Sequence, residues 1–338
     1  MPNTALKDTK TWDIAVELRD VTKIFRQKQT GDGILQNFLR PQYKEIRALD
    51  HVDMTIRRGE FVAYAGPNGA GKSTTFKLLC GMIGADSGSV RTCGFDPLKE
   101  RIPLMRQTGV LMGNRTELWW DHPVISSYTW KKAVWDIDDK TYARQLDLVT
   151  EMLDLKPLLN TFARELSLGQ RMRADLGMLL LHDPQLILLD EPTLGLDVLA
   201  KRSMIECLKA LNRDHGRTIL VTSHDLDDLT EMAQRIVMLA QGRIAFDGTL
   251  PELREIAGSE RHVTIDCPVC PSLAGCRLVE TEHGRHTFAF DPHALPVPQL
   301  LAAISQLKDV RDVQLGDAPI EGVIAGLYAN WKKQRDQM

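Results

Sequence analysis

Apolar residues in the first part of the chain fall into short runs set apart by glycine, proline and charge. Residues 14–25 alternate closely enough between apolar and polar positions to predict a strand. Residues 26–46 break that pattern. They hold Gly31 and Gly33, an apolar patch of Ile34, Leu35, Phe38 and Leu39, then Pro41, Tyr43 and several basic residues, which together predict an inserted loop with a short helix. Residues 47–57 resume as a strand, Gly59-Glu60 turns the chain, and Phe61-Val-Ala-Tyr-Ala65 reads as another strand. Thr74 to Ile83 reads as a helix.

Residues 102–160 contain Pro103, Pro123 and Pro157 and several helical stretches. Leu146, Val149, Met152, Leu153 and Leu155 line one amphipathic face, with Gln145, Asp147 and Glu151 among its polar positions. A mostly helical subdomain is expected at about 105–180. Leu176 to Leu181 then reads as helix, Asp183-Pro184 as a turn, and Leu186 to Leu189 as a buried parallel strand. Thr218 to Thr222 is a second buried strand. Ile236–Leu239 and Arg243–Asp247 flank Gln241-Gly242 and predict a hairpin.

Beyond Gly258 the character changes. Short strands are expected at 262–266 and 276–290, with a turn at His283-Gly284. Leu300, Leu301, Ile304 and Leu307 mark a helix, Val310 to Leu315 a strand, and Ile320, Val323, Ile324, Leu327, Tyr328 and Trp331 a final amphipathic helix. The pattern divides the chain into an α/β domain over 1–257 and a small C-terminal α+β domain over 258–338.

Composition narrows the class. Hydrophobic residues make up 43% and charged residues 26% of 338, which supports a real core. A net charge of −3 gives no electrostatic case for nucleic acid. No apolar run approaches the roughly 20 residues that cross a bilayer. The first residues, with Lys7, Asp8 and Lys10, lack a signal-peptide core. A cytoplasmic protein is therefore expected, with any membrane-spanning parts on other chains. Of the six cysteines, Cys80, Cys93 and Cys207 read as small buried hydrophobes. Cys267-Pro-Val-Cys270 with Cys276 faintly resembles a zinc knuckle that would need His262, His283 or His286, but ordinary packing is favoured.

The chemistry begins at Gly66-Pro-Asn-Gly-Ala-Gly-Lys-Ser73, which fits the phosphate-loop pattern G-x-x-x-x-G-K-[ST]. Glycines let backbone N–H groups approach phosphate, and the following helix N-terminus adds its dipole. Gly66, Pro67, Asn68, Gly69, Ala70 and Gly71 form the cradle. Lys72 should span the β- and γ-phosphates, Ser73 should ligate Mg²⁺, and Thr74 should reach the α-phosphate. Asp190 ends an apolar strand, where it can hold Mg²⁺, and Glu191 next to it is placed to orient the attacking water.

These motifs occur in order with Leu166-Ser-Leu-Gly-Gln170 and Val221-Thr-Ser-His224. The ordered set, over about residues 12–250, resembles the ATP-binding cassette (ABC) ATPases. The resemblance implies a P-loop α/β fold with an antiparallel β portion and a helical subdomain. It implies that His224 contacts the γ-phosphate, and that Ser167, Gly169 and Gln170 act on ATP held by a second copy. Asp197 matches the loop that links the two sites. Leu168 departs from the usual glycine, while Gly169 is retained. Asn114 is the best substitute for the family's glutamine after the phosphate-loop helix, with Gly113 as the rival occupant of that position. Phe25, or alternatively Tyr43, would stack on adenine. Trp119-Trp-Asp-His-Pro123 falls where the family meets its membrane partner.

Leu-Ser-Leu-Gly-Gln-Arg-Met-Arg173, the Trp-Trp-Asp segment and the insertion look like a bacterial branch related to daunorubicin-resistance exporters. The implied protein is a peripheral ATPase at the cytoplasmic face of the membrane, dimerising with a second copy and driving separate permease chains. The rival readings are an ABC ATPase that regulates a membrane complex without transport, and a soluble ABC protein acting on DNA or ribosomes.

Overall fold

The computed structural model describes residues 12–29, 42–113, 116–223, 226–257 and 260–317. The chain divides into two units, Met1–Asp247 and Gly248–Met338.

In the first unit, β1 (Ile14–Gln29) pairs antiparallel with β2 (Gln42–Arg57), and β1 also pairs with β4 (Ser87–Thr92). Both ends of the predicted insertion are therefore strand. Residues 26–29 and 42–46 extend the ribbon through pairs such as Arg26 with Glu45 and Gln27 with Lys44. An ion pair at 3.2 Å ties Arg26 to Glu45. Exposure of both faces hid this ribbon, because alternation is legible only where one face is buried. The apolar patch 34–39 lies outside the described residues.

The larger sheet runs in the order β5-β6-β7-β3-β8-β9. It comprises β3 (Phe61–Ala65), β5 (Thr108–Met112), β6 (Leu186–Asp190), β7 (Thr218–Thr222), β8 (Arg235–Ala240) and β9 (Arg243–Gly248). The first five strands in that order are parallel, and β3 and β7 are buried throughout, as their unbroken apolar runs require. The β8–β9 link is Gln241-Gly242 with φ of 49° and 81°, a turn whose twist suits a two-residue hairpin. Val16, Leu18, Leu49 and Ile56 of the antiparallel sheet share one core with Tyr64, Phe76, Leu188, Leu220 and Val237.

Helix α1 (Lys72–Leu79) follows the phosphate loop, and α2 (Arg101–Gln107) precedes β5. Pro103 sits in the first turn of α2, where no helical N–H is needed. Three helices then lie between β5 and β6 in sequence: α3 (Val124–Val134), α4 (Asp139–Met152) and α5 (Leu168–Leu180). Asp138 caps α4 by accepting from the Thr141 N–H at 2.9 Å. Val149, Leu153 and Leu155 are buried as the periodicity predicts, but Gln145, assigned to the polar face, is buried too.

Asp175 is a charged residue inside this region. It lies within α5 at 6% exposure and accepts from Thr116 Oγ1 at 2.9 Å and the Glu117 N–H at 3.1 Å. Burial pushes its carboxyl up to about 6, against the lowering effect of those two donors; Glu117 adds to the rise and Arg171 opposes it. Between pH 4 and 6 the folded chain thus holds a proton that the unfolded chain has released. This contribution is fully favourable below the unfolded value and is lost as pH rises through about 6. Asp175→Asn removes the titration. Its stability relative to the parent should rise by about 2 kcal/mol between pH 4 and pH 7. Denaturant titrations at both pH values check this; an unchanged difference would mean that Asp175 titrates normally.

Helices α6 (Val198–Arg213) and α7 (Leu226–Met232) follow β6 and β7. The second unit holds α8 (Leu250–Ala257), α9 (Val297–Ile304) and a four-stranded antiparallel sheet. The sheet order is β11 (Cys276–Glu282), β12 (Arg285–Phe290), β10 (Arg261–Asp266), β13 (Asp312–Asp317). Val263, Ile265, Phe288 and Phe290 from alternate strand positions pack with Leu300 and Ile304 of α9. Cys267 joins that core, while Cys270 is exposed and Cys276 half-buried. No group of three or more His, Cys, Asp or Glu placed to hold a metal occurs among the described residues. The predicted helix at 320–331 lies outside them.

Candidate nucleotide site

Parallel strands deliver their carboxyl ends to one edge of a sheet, which is where open α/β sheets bind ligands. Here β3 runs into the phosphate loop, and the ends of β5, β6 and β7 lie beside one another, with Met112 opposite Asp190 and Asp190 opposite Thr222. The loop backbone has a shape that only glycine fits. A Cβ on Gly66 would fall 2.5 Å from the Leu239 carbonyl oxygen, and one on Gly71, at φ 116°, would fall 2.4 Å from that of Ala48. The loop is braced from below, where Thr75 Oγ1 donates to the Gly71 carbonyl and meets the buried Tyr64 hydroxyl at 3.0 Å.

Lys72 is 6% exposed and bends across the loop, donating to the carbonyls of Gly66 at 2.5 Å and Pro67 at 3.3 Å. Burial holds its ammonium below the ordinary lysine value, against the pull of Glu191 and Asp190. Ser73 Oγ donates to Asp190 Oδ2 at 3.3 Å. Thr222 Oγ1 donates to the other carboxylate oxygen at 2.6 Å. Glu191 has φ 58°, a left-handed conformation unusual for a side chain of this kind, and its N–H donates to the Thr222 carbonyl and hydroxyl, both at 3.1 Å. Non-glycine strain of this sort collects where a side chain must be aimed. A cavity of about 690 Å³ opens beside Ser73 and Asp190, with Lys77, Gly113, Thr116 and Glu117 also in its lining.

The loop held close by Gly66 and Gly71, the buried cation and the helix N-terminus fit a polyphosphate. The hydroxyl and carboxylate oxygens of Ser73 and Asp190 are the hard donors that Mg²⁺ selects. The residues that the sequence predicts to act on phosphate and metal are thus brought together: Gly66 to Thr74, Asp190 and Glu191.

Ser167, Gly169, Gln170 and Asp197 form a second cluster. Ser167 caps α5, with its Oγ accepting from the Gln170 N–H at 3.3 Å and Gln170 Oε1 accepting from the Ser167 N–H at 2.9 Å. Asp197 caps α6 (Val198–Arg213), accepting from the Ala200 N–H at 2.9 Å. Leu168 packs on Gly195, where a Cβ would come within 3.0 Å of its Cδ2, and Gly169 faces the Ala200 methyl. Leu168 in place of glycine thus fills the space against the 195–197 loop. Val198 and Leu199 beside it are each 80% exposed.

Comparison with known proteins decides the family. The ABC transporter family model matches residues 49–194. Nod factor export ATP-binding protein I of Cupriavidus pinatubonensis is 31% identical over 242 residues, which cover 72% of this chain and 69% of that protein.

The chain belongs to the ABC transporter ATP-binding proteins.

The probable multidrug ABC transporter ATP-binding protein YbhF of Escherichia coli K12 is 32% identical over 224 residues, covering 66% of this chain but 38% of YbhF. The chain therefore matches well under two thirds of that relative's length. A solved ATP-binding subunit of an ABC transporter superposes with a TM-score of 0.59 at 25% identity, over 72% of this chain and 92% of that one. The fold is accordingly that of an ABC ATPase cassette, a P-loop NTPase.

Within the ABC frame, Asn114 and His224 lie outside the described residues; the neighbouring Gly113 N–H donates to the Asp190 carbonyl at 3.3 Å. Phe25 is 39% exposed opposite Ile46, with Lys23 Nζ 5.5 Å from its ring centroid. Tyr43 lies opposite Lys28, on the other face of the ribbon by strand alternation. One adenine cannot engage both. Sequence reasoning missed Thr222 and Thr75. The signal for Thr222 was its place at the end of a buried strand, level with Asp190.

Proposed function

We propose that this chain is the ATP-hydrolysing subunit of an ABC exporter, working as a pair with a second copy and driving separate membrane permease chains. The observation that carries the reading is the convergence of Lys72, Ser73, Asp190 and Glu191 at one sheet edge, together with a second cluster in which Ser167 and Asp197 cap helix N-termini. Surface serine and glycine N–H groups at a helix N-terminus suit a phosphate supplied by another copy. The exposed apolar Val198 and Leu199 suit burial against that copy.

Mg²⁺, held by Ser73 and Asp190, would neutralise charge on the phosphates. Lys72 spans the β- and γ-phosphates, and Thr74 reaches the α-phosphate. Glu191 holds the water in line with the γ-phosphorus and draws on its proton, with Asn114 and His224 proposed to complete the shell around it. Phe25 is the proposed adenine platform. Trp119 and Trp120 form the proposed permease-facing surface. Trp119 packs on Trp130 with ring centroids 5.5 Å apart, while Trp120 is 52% exposed beneath the Arg171 guanidinium. Export is supported by the named roles of the Nod factor and multidrug relatives. No described helix is long and apolar enough to cross a membrane, which fits a division of labour between chains.

Tagged Glu191→Gln protein, solubilised from its native cells with ATP, tests the partner. Polytopic membrane proteins recovered at about one per copy are expected. Ribosomal or DNA-associated proteins without a membrane subunit would overturn the reading.

A further inference from the structure

The α5 helix that begins at the Ser167 cap carries a buried carboxylate two turns on. A charge there is costly, because burial strips its water, and an alanine would serve helix packing better. Asp175 is engaged not within its own helix but with the segment after β5. It receives Thr116 Oγ1 and the Glu117 N–H, and Thr116 Oγ1 in turn accepts from the Leu118 N–H at 3.1 Å.

Around this point α3 completes the clamp. The Tyr128 hydroxyl donates to the Ala174 carbonyl at 2.6 Å, and the buried Lys131 pairs with Glu117 at 3.4 Å. The charged and titratable groups facing Asp175 are thus Glu117, Lys131, Tyr128 and Arg171. On the other side, only residues 114 and 115 separate Thr116 from Gly113, which is bonded to the Asp190 backbone. Thr116 and Glu117 also line the cavity shared with Ser73 and Asp190, so this segment borders the space next to the phosphates.

We infer that Asp175 is a positioning residue for ATP hydrolysis, which fastens Thr116 and Glu117, beyond β5, to α5 so that they and Ser167 move as one body. A helix is stiff over the roughly 12 Å between Ser167 and Asp175. A shift of Thr116 and Glu117 beside the phosphate edge is then carried to Ser167, and the reverse. Without the carboxylate the two parts keep their folds but lose register. The inference rests on the ATP-hydrolysis reading above.

The test compares steady-state ATP turnover of the full chain with Asp175→Ala, Asp175→Asn, Thr116→Val and the Asp175→Ala/Thr116→Val pair, with melting temperatures in parallel. Asp175→Ala is expected to lower kcat at least about tenfold while the KM for ATP stays within about twofold. Asp175→Asn keeps an acceptor oxygen for both donors and should restore most of the rate. The double variant should be no slower than Asp175→Ala, because both changes break one link. A purely structural role would instead move kcat in step with melting temperature. Parental kcat in a folded Asp175→Ala protein, or an equal loss in Asp175→Asn, overturns the inference. A parent that shows no ATP turnover counts against the proposed function as well, whereas an active parent with an indifferent Asp175→Ala counts against this inference alone.

Discussion

Glu191→Gln is expected to lose ATP turnover by about two to four orders of magnitude while still binding ATP. The residue sits one position beyond the strand that presents Asp190, in a left-handed conformation fixed by two hydrogen bonds from its N–H to Thr222. Both bonds come from the backbone, so glutamine inherits the geometry and loses only the basic oxygen. The phosphate cradle, Lys72 and the Ser73–Asp190 pair are untouched, which is why affinity should survive. Phosphate release from excess enzyme in a single turnover separates chemistry from product release. Near-parental turnover in that assay would remove Glu191 from the base role.

Lys72→Met should weaken ATP binding by about 2–5 kcal/mol, or roughly 30-fold to several-thousand-fold. Methionine has nearly the length of the lysine stem, and Tyr64, Thr75 and the glycine carbonyls that shape the loop remain. What disappears is a buried cation aimed at the place where phosphate charge concentrates. Titration with a fluorescent nucleotide analogue checks this; parental affinity would contradict the assignment. The same burial holds the Lys72 ammonium below its ordinary value. Bare lysine therefore deprotonates at lower pH than a surface lysine, and affinity in the parent should begin to fall earlier as pH rises into the alkaline range.

Much of this site was legible without coordinates because its physics is local. A phosphate loop needs its glycines, a buried strand needs an unbroken apolar run, and carboxylates at its end need no other marker. The Gln241-Gly242 hairpin was equally plain. Features that depend on tertiary pairing were not. The strand β4, Ser-Gly-Ser-Val-Arg-Thr92, is mostly exposed and owes its place to pairing with β1. The ribbon ends at 26–27 and 43–46 are exposed on both faces, Tyr43 and Ile46 included. Gln145 and Asp175 look like surface positions of their helices and are buried only because other elements cover them. The choice between Phe25 and Tyr43 turns on strand parity within a bulged ribbon, which no one-dimensional pattern supplies.

The central claim is that two copies share the chemistry, with Ser167 and Gly169 of one meeting phosphate held by the loop of the other. Sedimentation of purified Glu191→Gln protein with and without ATP tests it most directly. The account predicts a monomer without nucleotide and a dimer with ATP, abolished when Ser167→Arg is added. A species that binds ATP and remains monomeric at every protein concentration would contradict it.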